Sequence, residues 1–169
     1  MTSPDEPVAW LSDQERAAWM AILAMTMTLP SALDAQLKRD AGINTFEYHI
    51  LAALSESPTR SLQMSQLAVF AQGSLSRLSH AVGRLERSGW VRRQPSAHDG
   101  RHTEALLTPA GWDKIQQIAP GHVREVRRLL IDLLSPTQLA DLGATSRLVV
   151  GTTAPESAHL LDTGLPPGI

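Results

Sequence analysis

The sequence contains no cysteine among its 169 residues. This absence excludes disulfides, cysteine nucleophiles, cysteine-based zinc sites and thiol sensing of oxidants. The most apolar stretch, residues 17–29, is also shorter than the roughly 20 residues that a membrane span needs. The first ten residues lack the basic start and apolar run of a signal peptide. We therefore expect a cytoplasmic protein without membrane contact.

Enzyme motifs are missing as well. The sequence has no glycine-rich phosphate loop, no His-Glu-x-x-His zinc motif and no nucleophile elbow. His98 and His102 have a spacing of four residues, but they flank a loop and no third ligand lies nearby in the sequence. We expect neither enzymatic activity nor a metal or other cofactor.

The charge is unevenly distributed along the chain. The overall net charge is −2, which argues against a generally basic nucleic-acid binder. The segment from Arg77 to Arg101, however, contains six arginines and only two acidic residues, which gives it a local net charge of +4. Since 43% of the residues are hydrophobic and 19% are charged, the chain should fold as a globular domain. The basic segment then indicates a surface that faces a polyanion.

Capping signals predict the order of the helices. Five predicted helices begin at Ser12 with Glu15, at Thr45, at Ser65, at Thr108-Pro109 and at Ser135-Pro136. Another helix, the fourth, is predicted from about Ser74 to Ser88, and Gly89 ends it. Pro30 should kink or divide the first helix, and the fifth should run to about Leu134.

Two short strands are predicted at residues 90–94 and 102–107, with the turn Asp99-Gly100 between them. The fold class is therefore mainly α with a small β-hairpin: a winged helix-turn-helix with six helices. Residues 17–25 are apolar on all sides of the first helix, which predicts that a second subunit covers it.

The fourth helix has two different faces at about 100° per residue. Leu75, Leu78, Val82 and Leu85 form the face expected to pack on the domain. The opposite face carries the candidate DNA contacts Arg77, Arg84, His80 and Ser76, with Ser74 at the helix start, and also Gly83 and Arg87. Arginine suits this position because it bonds guanine with two donors.

The hairpin adds further candidates. Arg101 follows the turn and is expected to enter a narrow minor groove. Asp99 would orient the guanidinium of Arg101, serve as a turn residue, or do both. Arg92 and Arg93 should contact phosphates. The alternative is a winged helix that docks proteins without sequence-specific DNA binding, for which apolar anchors would be expected instead of arginines.

These motifs resemble the MarR family of regulators. The resemblance spans about residues 12–150 and rests on residues 64–68, 75–80, 85–93, 99–101 and 107–111. It implies an obligate homodimer formed by the N- and C-terminal helices, with Leu129, Leu130, Leu133 and Leu134 contributing. It also implies a repressor that grips a pseudo-palindromic site of double-stranded DNA, with the fourth helix in the major groove and Arg101 in the minor groove.

The resemblance divides the chain into five segments. They are an extension (1–11), a dimerisation helix region (12–44), a DNA-binding lobe (45–108), C-terminal dimerisation helices (109–150) and a mobile tail (151–169). Many relatives release DNA when a small aromatic molecule binds between these regions. Aromatic and methionine side chains line such pockets well, but they also serve in cores and dimer interfaces. The candidates for effector contact are Trp10, Trp19, Met20, Leu23, Met27 and His49.

Overall fold

The computed structural model describes residues 8–96, 101–155 and 157–158. The elements in chain order are α1 (Asp13–Ala41), α2 (Thr45–Glu56), β1 (Ser61–Gln63), α3 (Met64–Phe70), α4 (Leu75–Arg87), β2 (Val91–Pro95), β3 (Thr103–Leu107), α5 (Pro109–Leu129), a 3-10 helix (Ile131–Leu133) and α6 (Pro136–Thr153). The predicted class is confirmed, with six α-helices and a small antiparallel sheet among the described residues. The chain divides into two compact units, Met1–Ala32 and Leu33–Ile169.

Helix α1 begins at the predicted capping box, in which Ser12 N donates to Glu15 Oε2 at 2.8 Å. The helix continues through Pro30, so of the two predicted effects of this proline the division is wrong, and the kink stays a prediction. A proline removes one backbone donor, and the remaining bonds of this 29-residue helix are enough to hold it together. Pro136 marks the start of α6 as predicted, where Ser135 and Gln138 form a capping box.

Helix α1 is the element of the described residues that bears on the membrane expectation. Judged by length and composition, α1 is the one helix of the described residues that could cross a membrane, with a mean hydropathy of 1.2 over an 18-residue window. Helices of soluble proteins pass the same test, so it is weak evidence for a membrane span.

Two predicted caps lie one or two residues from the observed ones. Asn44, not Thr45, caps α2, and it forms a capping box with Glu47. Thr45 is instead the first residue of α2, and its backbone N donates to Asp34 Oδ1 at 2.9 Å. Helix α3 begins at Met64 with Gln63 as its N-cap, so the predicted cap at Ser65 is wrong.

In the part of the chain that the structure describes, the sheet has three strands, in the order β1-β3-β2. The predicted hairpin pairs β2 with β3 so that Val91 faces Leu107 and Arg93 faces Ala105. The extended residues Ser61–Gln63 add a third strand, antiparallel to β3. Alternate residues of β3, Ala105 and Leu107, are buried in the core.

The core of the second unit joins α2 to the sheet, α3, α4 and α5. Its largest fully buried side chains are Tyr48, Leu37, Ile50, Leu51, Leu54, Leu67, Leu78, Leu85, Val82 and Val91. Helix α5 packs closely against the sheet because Gly111 carries no side chain. A Cβ there would lie 2.0 Å from the carbonyl oxygen of Trp90.

The C-terminal helices differ from the prediction at their ends. Helix α5 ends at Leu129, five residues before the predicted end, and the 3-10 helix follows it. The chain tightens there because Leu130 leaves the helical conformation, with φ −140°. Helix α6 extends to Thr153, three residues into the predicted tail at 151–169.

Candidate nucleic-acid interface

A tight turn joins α3 to α4. Gln72 has a φ of +54°, and Gly73 lies so close to Phe46 that a Cβ would be 2.6 Å from the ring. Glycine at this position therefore lets the turn pack directly on α2. Ser74 caps α4 by accepting from Arg77 N at 3.2 Å. The side chain of Ser74, predicted to contact DNA, thus has a local structural role as well.

Helix α4 packs on the core through Leu78, Ala81, Val82 and Leu85, which are buried as the helical pattern predicts. Leu75 is different. Its side chain is 57% exposed, so its placement on the packed face is wrong. Leu75 is the first residue of α4 and lies at the edge of the apolar arc, where the core no longer reaches it.

On the side of α4 that faces α2, two predicted DNA contacts are held by the protein itself. We call Arg77 and Arg84 the α2 flank. The guanidinium of Arg77 lies over the ring of Phe46, 4.1 Å from its centroid. Arg84 Nε donates to Glu47 Oε1 at 2.5 Å, and the Glu47 side chain is only 9% exposed. This bond uses only Nε of Arg84. The two terminal nitrogens of the guanidinium lie at the exposed end of the side chain.

On the side of α4 that faces the hairpin, an arginine of β2 bonds two side chains of the helix. We call Ser79 and Glu86 the wing flank. Arg93 of β2 bonds Glu86 through Nε at 2.8 Å and Nη2 at 2.5 Å, and it also donates to Ser79 Oγ at 3.3 Å. These bonds hold the pKa of Glu86 below its usual value. The predicted phosphate contact Arg93 therefore fastens the hairpin to α4.

Between the flanks lies the central strip, defined as Ser76, His80, Gly83 and Arg87. Ser76, His80 and Arg87 are exposed. Within the described part of the chain, their side chains form no hydrogen bond or ion pair. The space beside Gly83 is open enough that a Cβ would come only within 3.7 Å of Arg93 Nη2. The central strip is thus a polar surface whose donors are available to an external partner.

The hairpin presents two further predicted contacts. Arg92 is exposed on β2, and Arg101 is exposed just before β3. Asp99 lies outside the described residues. The structure therefore places Ser74, Ser76, Arg77, His80 and Arg84 together on one helix, with Arg92, Arg93 and Arg101 on the neighbouring hairpin. Their contact with DNA remains a prediction.

Glu47 and Phe46 are site residues that the sequence analysis missed. The pattern Asn44-x-x-Glu47 before an apolar run could have indicated the capping box. No local pattern could have indicated the partners Arg77 and Arg84, which are more than 30 positions away along the chain.

The candidate effector residues lie in both units of the chain. In the first unit, Trp10 is 87% exposed and Met27 is 67% exposed; Trp19 and Met20 are also exposed, while Leu23 is half-buried. In the second unit, His49 is half-buried, and burial lowers its pKa. Their role in ligand binding remains a prediction.

A cavity of about 360 Å³ opens between the last turns of α1 and the middle of α5. It is lined by Gln36, Asp40, Lys114, Gln117, Ile118 and Arg124, among others. None of the six candidate effector residues belongs to this lining. The Gln36 side chain is buried beside the cavity. Its Nε2 donates to Asp40 Oδ2 at 2.9 Å, and its Oε1 lies 3.2 Å from His122 Nδ1. The cavity is thus polar, with two cationic side chains and one carboxylate.

The chain is similar to known proteins both in sequence and in structure. The model of the MarR family matches residues 41–102. The structure of Sco3205 from Streptomyces coelicolor, a MarR family transcriptional regulator in complex with DNA, is 43% identical with a TM-score of 0.84, and the match covers 89% of this chain and 94% of that one. AbsC, a MarR family transcriptional regulator from the same organism, is 36% identical with a TM-score of 0.78, covering 92% of this chain and 99% of that one.

A curated relative matches over a shorter length. The HTH-type transcriptional regulator PecS of Dickeya dadantii (strain 3937) is 33% identical over 91 residues, which is 53% of this chain and 52% of PecS. The match thus spans about half the length of that relative. The two Streptomyces regulators, in contrast, match over nearly their whole length with the same winged helix. This chain belongs to the MarR family of transcriptional regulators.

Proposed function

We propose that this protein is a homodimeric repressor that binds a pseudo-palindromic DNA operator in the cytoplasm. Each subunit inserts α4 into the major groove and the hairpin, through Arg101, into the adjacent minor groove. The observation that carries the proposal is the exposed polar central strip of α4 beside an arginine-bearing hairpin. The related Sco3205 was solved in complex with DNA, which supports the same partner here.

The electrostatics of the segment favour DNA over a protein partner. The local net charge of +4 lies within a chain whose total charge is −2. Arg87, Arg92 and Arg101 are exposed on α4 and the hairpin. A protein-docking surface would carry apolar anchors at its centre, whereas the central strip holds serine, histidine and arginine. The alternative of a protein-interaction module is thus less well supported.

The dimer is proposed from two exposed apolar surfaces. Helix α1 exposes Trp19, Met20 and Met27, and α6 exposes Leu148 and Val149. Apolar surfaces of this kind are unfavourable in water unless another chain covers them. A twofold dimer would present two copies of α4 to successive turns of a duplex. Light scattering should therefore give the mass of two chains, and a monomer would contradict the proposal.

The DNA-binding step is tested by fluorescence anisotropy on a duplex recovered by selection from random-sequence DNA. Affinity should fall steeply with salt, each neutralised phosphate contributing about −0.9 to the log–log slope. Arg101→Ala should weaken binding by about tenfold, within the usual range for a groove contact, without changing the circular dichroism. Arg127→Ala removes the same charge from α5 and should leave the affinity nearly unchanged. Salt-independent binding, or equal effects of the two variants, would contradict the proposal.

We further propose that a small anionic effector enters the cavity between α1 and α5 and releases the DNA. Lys114 and Arg124 supply two positive charges there, and Ile118 supplies an apolar wall. Benzoate, a small aromatic anion, is a suitable probe. It should raise the melting temperature and displace the duplex, and both effects should be lost in Arg124→Gln. Displacement that persists in this variant would place the effector elsewhere.

A further inference from the structure

Leu75 is an apolar side chain on an otherwise polar part of α4. It is 57% exposed, while its neighbours Ser74 and Ser76 are polar and exposed. A single exposed leucine is common on protein surfaces, so exposure alone indicates nothing. What matters is its position, because Leu75 is the first residue of the helix whose central strip is proposed to face DNA.

The position of Leu75 limits what it can contact. Residues at the N-terminus of a recognition helix reach base edges in the major groove. Leucine has no donor or acceptor, so among the groups exposed in that groove it can recognise only an apolar one. The only such group is the C5-methyl of thymine. An apolar side chain at this position is therefore suited to an A·T pair and to one orientation of that pair.

The structure also shows that Leu75 is not needed to complete the wing flank. Ser79, one turn further along α4, accepts from Arg93, which is bonded to Glu86 in turn. This network is closed without Leu75. The side chain of Leu75 thus lies beyond the network, with more than half of its surface available to an external group.

We propose that Leu75 contacts the C5-methyl group of a thymine in each operator half-site and thereby specifies the A·T pair at that position. This inference rests on the proposed function and adds a specificity-determining residue to it. Burying the thymine methyl group against Leu75 should strengthen binding about fourfold per half-site, compared with the same base pair without the methyl group.

The experiment uses the full-length protein and a duplex recovered by selection from random-sequence DNA. Each thymine of one half-site is replaced in turn by deoxyuridine, which removes only the methyl group, and anisotropy gives the dissociation constant. In the wild type, one replacement should weaken binding about fourfold. In Leu75→Ala the same replacement should have no effect, because the partner of the methyl group is gone. Leu75→Met should restore the sensitivity, and Arg127→Ala in α5, outside the proposed interface, serves as the control that retains it.

The outcomes separate this inference from the proposed function. A scan without any sensitive thymine, or the same sensitivity in wild type and Leu75→Ala, would overturn the role of Leu75 while specific DNA binding stands. A selected site without thymine in the half-site would do the same. Loss of the dimer mass in Leu75→Ala would place the residue in a subunit interface and also overturn the inference. If no duplex were bound above background, both the proposed function and this inference would fail.

Discussion

Arg84 and Arg87 lie one turn apart on α4, but their surroundings differ. Arg84 is bonded to the buried carboxylate of Glu47, whereas Arg87 extends from the central strip without a hydrogen bond or ion pair among the described residues. An arginine held in place loses less side-chain entropy when it contacts DNA, but its charge is already largely balanced. An unpaired arginine keeps its full charge for a phosphate and loses its side-chain entropy on binding.

The comparison extends to the two flanks. On the α2 flank, the carboxylate that holds Arg84 is 9% exposed; on the wing flank, the carboxylate that holds Arg93 is 27% exposed. The more buried acceptor has less water to replace its partner, so its bonds should matter more for stability. The flanks would then fix the position of α4 in the domain, while the central strip would supply binding.

The largest expected effect is on the α2 flank. Glu47→Gln keeps the shape of the side chain but removes the charge that bonds Arg84 and Asn44 N, so we expect the free energy of unfolding to fall by about 2 kcal/mol. Glu86→Gln is the matched variant on the wing flank, and its more exposed pair should cost less than about 1 kcal/mol. Urea unfolding at one fixed protein concentration measures both. Equal losses would contradict the difference between the flanks.

The second effect separates the held arginine from the unpaired one. Arg87→Ala should leave stability unchanged and reduce the magnitude of the salt slope by about 0.9, the contribution of one phosphate. Arg84→Ala should lower both stability and affinity, with a smaller change in slope because Glu47 already balances its charge. If Arg84 bonds guanine through its terminal nitrogens, the variant should also lose its preference at that base pair, by about 1–3 kcal/mol.

Anisotropy across a salt series, repeated on duplexes with single base-pair changes, gives both quantities for each variant. An unchanged slope in Arg87→Ala would show that the central strip does not contact phosphate through this residue. A uniform loss over all duplexes in Arg84→Ala would identify Arg84 as a phosphate contact instead of a base contact.

The features that the sequence predicted correctly are mostly local. The capping boxes at Ser12 and Ser135, and the cap at Thr108, join residues three positions apart, so the pattern itself contains both partners. The buried face of α4 also follows from its helical period, except at Leu75, the terminal residue. The helical period predicts the direction in which each side chain points. Whether another element packs against a side chain at the end of the helix depends on the rest of the fold.

The features that were missed depend on contacts between distant residues. Asn44 replaces Thr45 as the cap of α2, where Asp34, eleven residues earlier, accepts from Thr45 N. The strand β1 forms because Ser61 meets Leu106 across the fold. The partner of Arg84 lies 37 residues before it in the sequence. These pairings depend on how the elements pack, which no local period or spacing contains.

The smallest expected effect concerns the centre of the strip. A Cβ at Gly83 would meet Arg93 Nη2 at 3.7 Å and Arg87 Nη1 at 3.9 Å, which are ordinary contacts with flexible side chains. Gly83→Ala should therefore fit and stabilise the helix by about 1 kcal/mol through its higher helix propensity. The fold does not require glycine here, so a need for it would come from the close approach of DNA.

Gly121→Ala in α5 is the control, because a Cβ there would meet Gln36 Nε2 at 3.8 Å and Arg124 Nη2 at 3.9 Å. Both variants should gain similar stability in urea unfolding, and only Gly83→Ala should lose affinity for the selected duplex. If Gly83→Ala binds as tightly as the wild type, the backbone of α4 stays clear of the groove at this point. The contact would then be confined to the longer side chains, and the strip would reach DNA only through Arg87, His80 and the first turn of the helix.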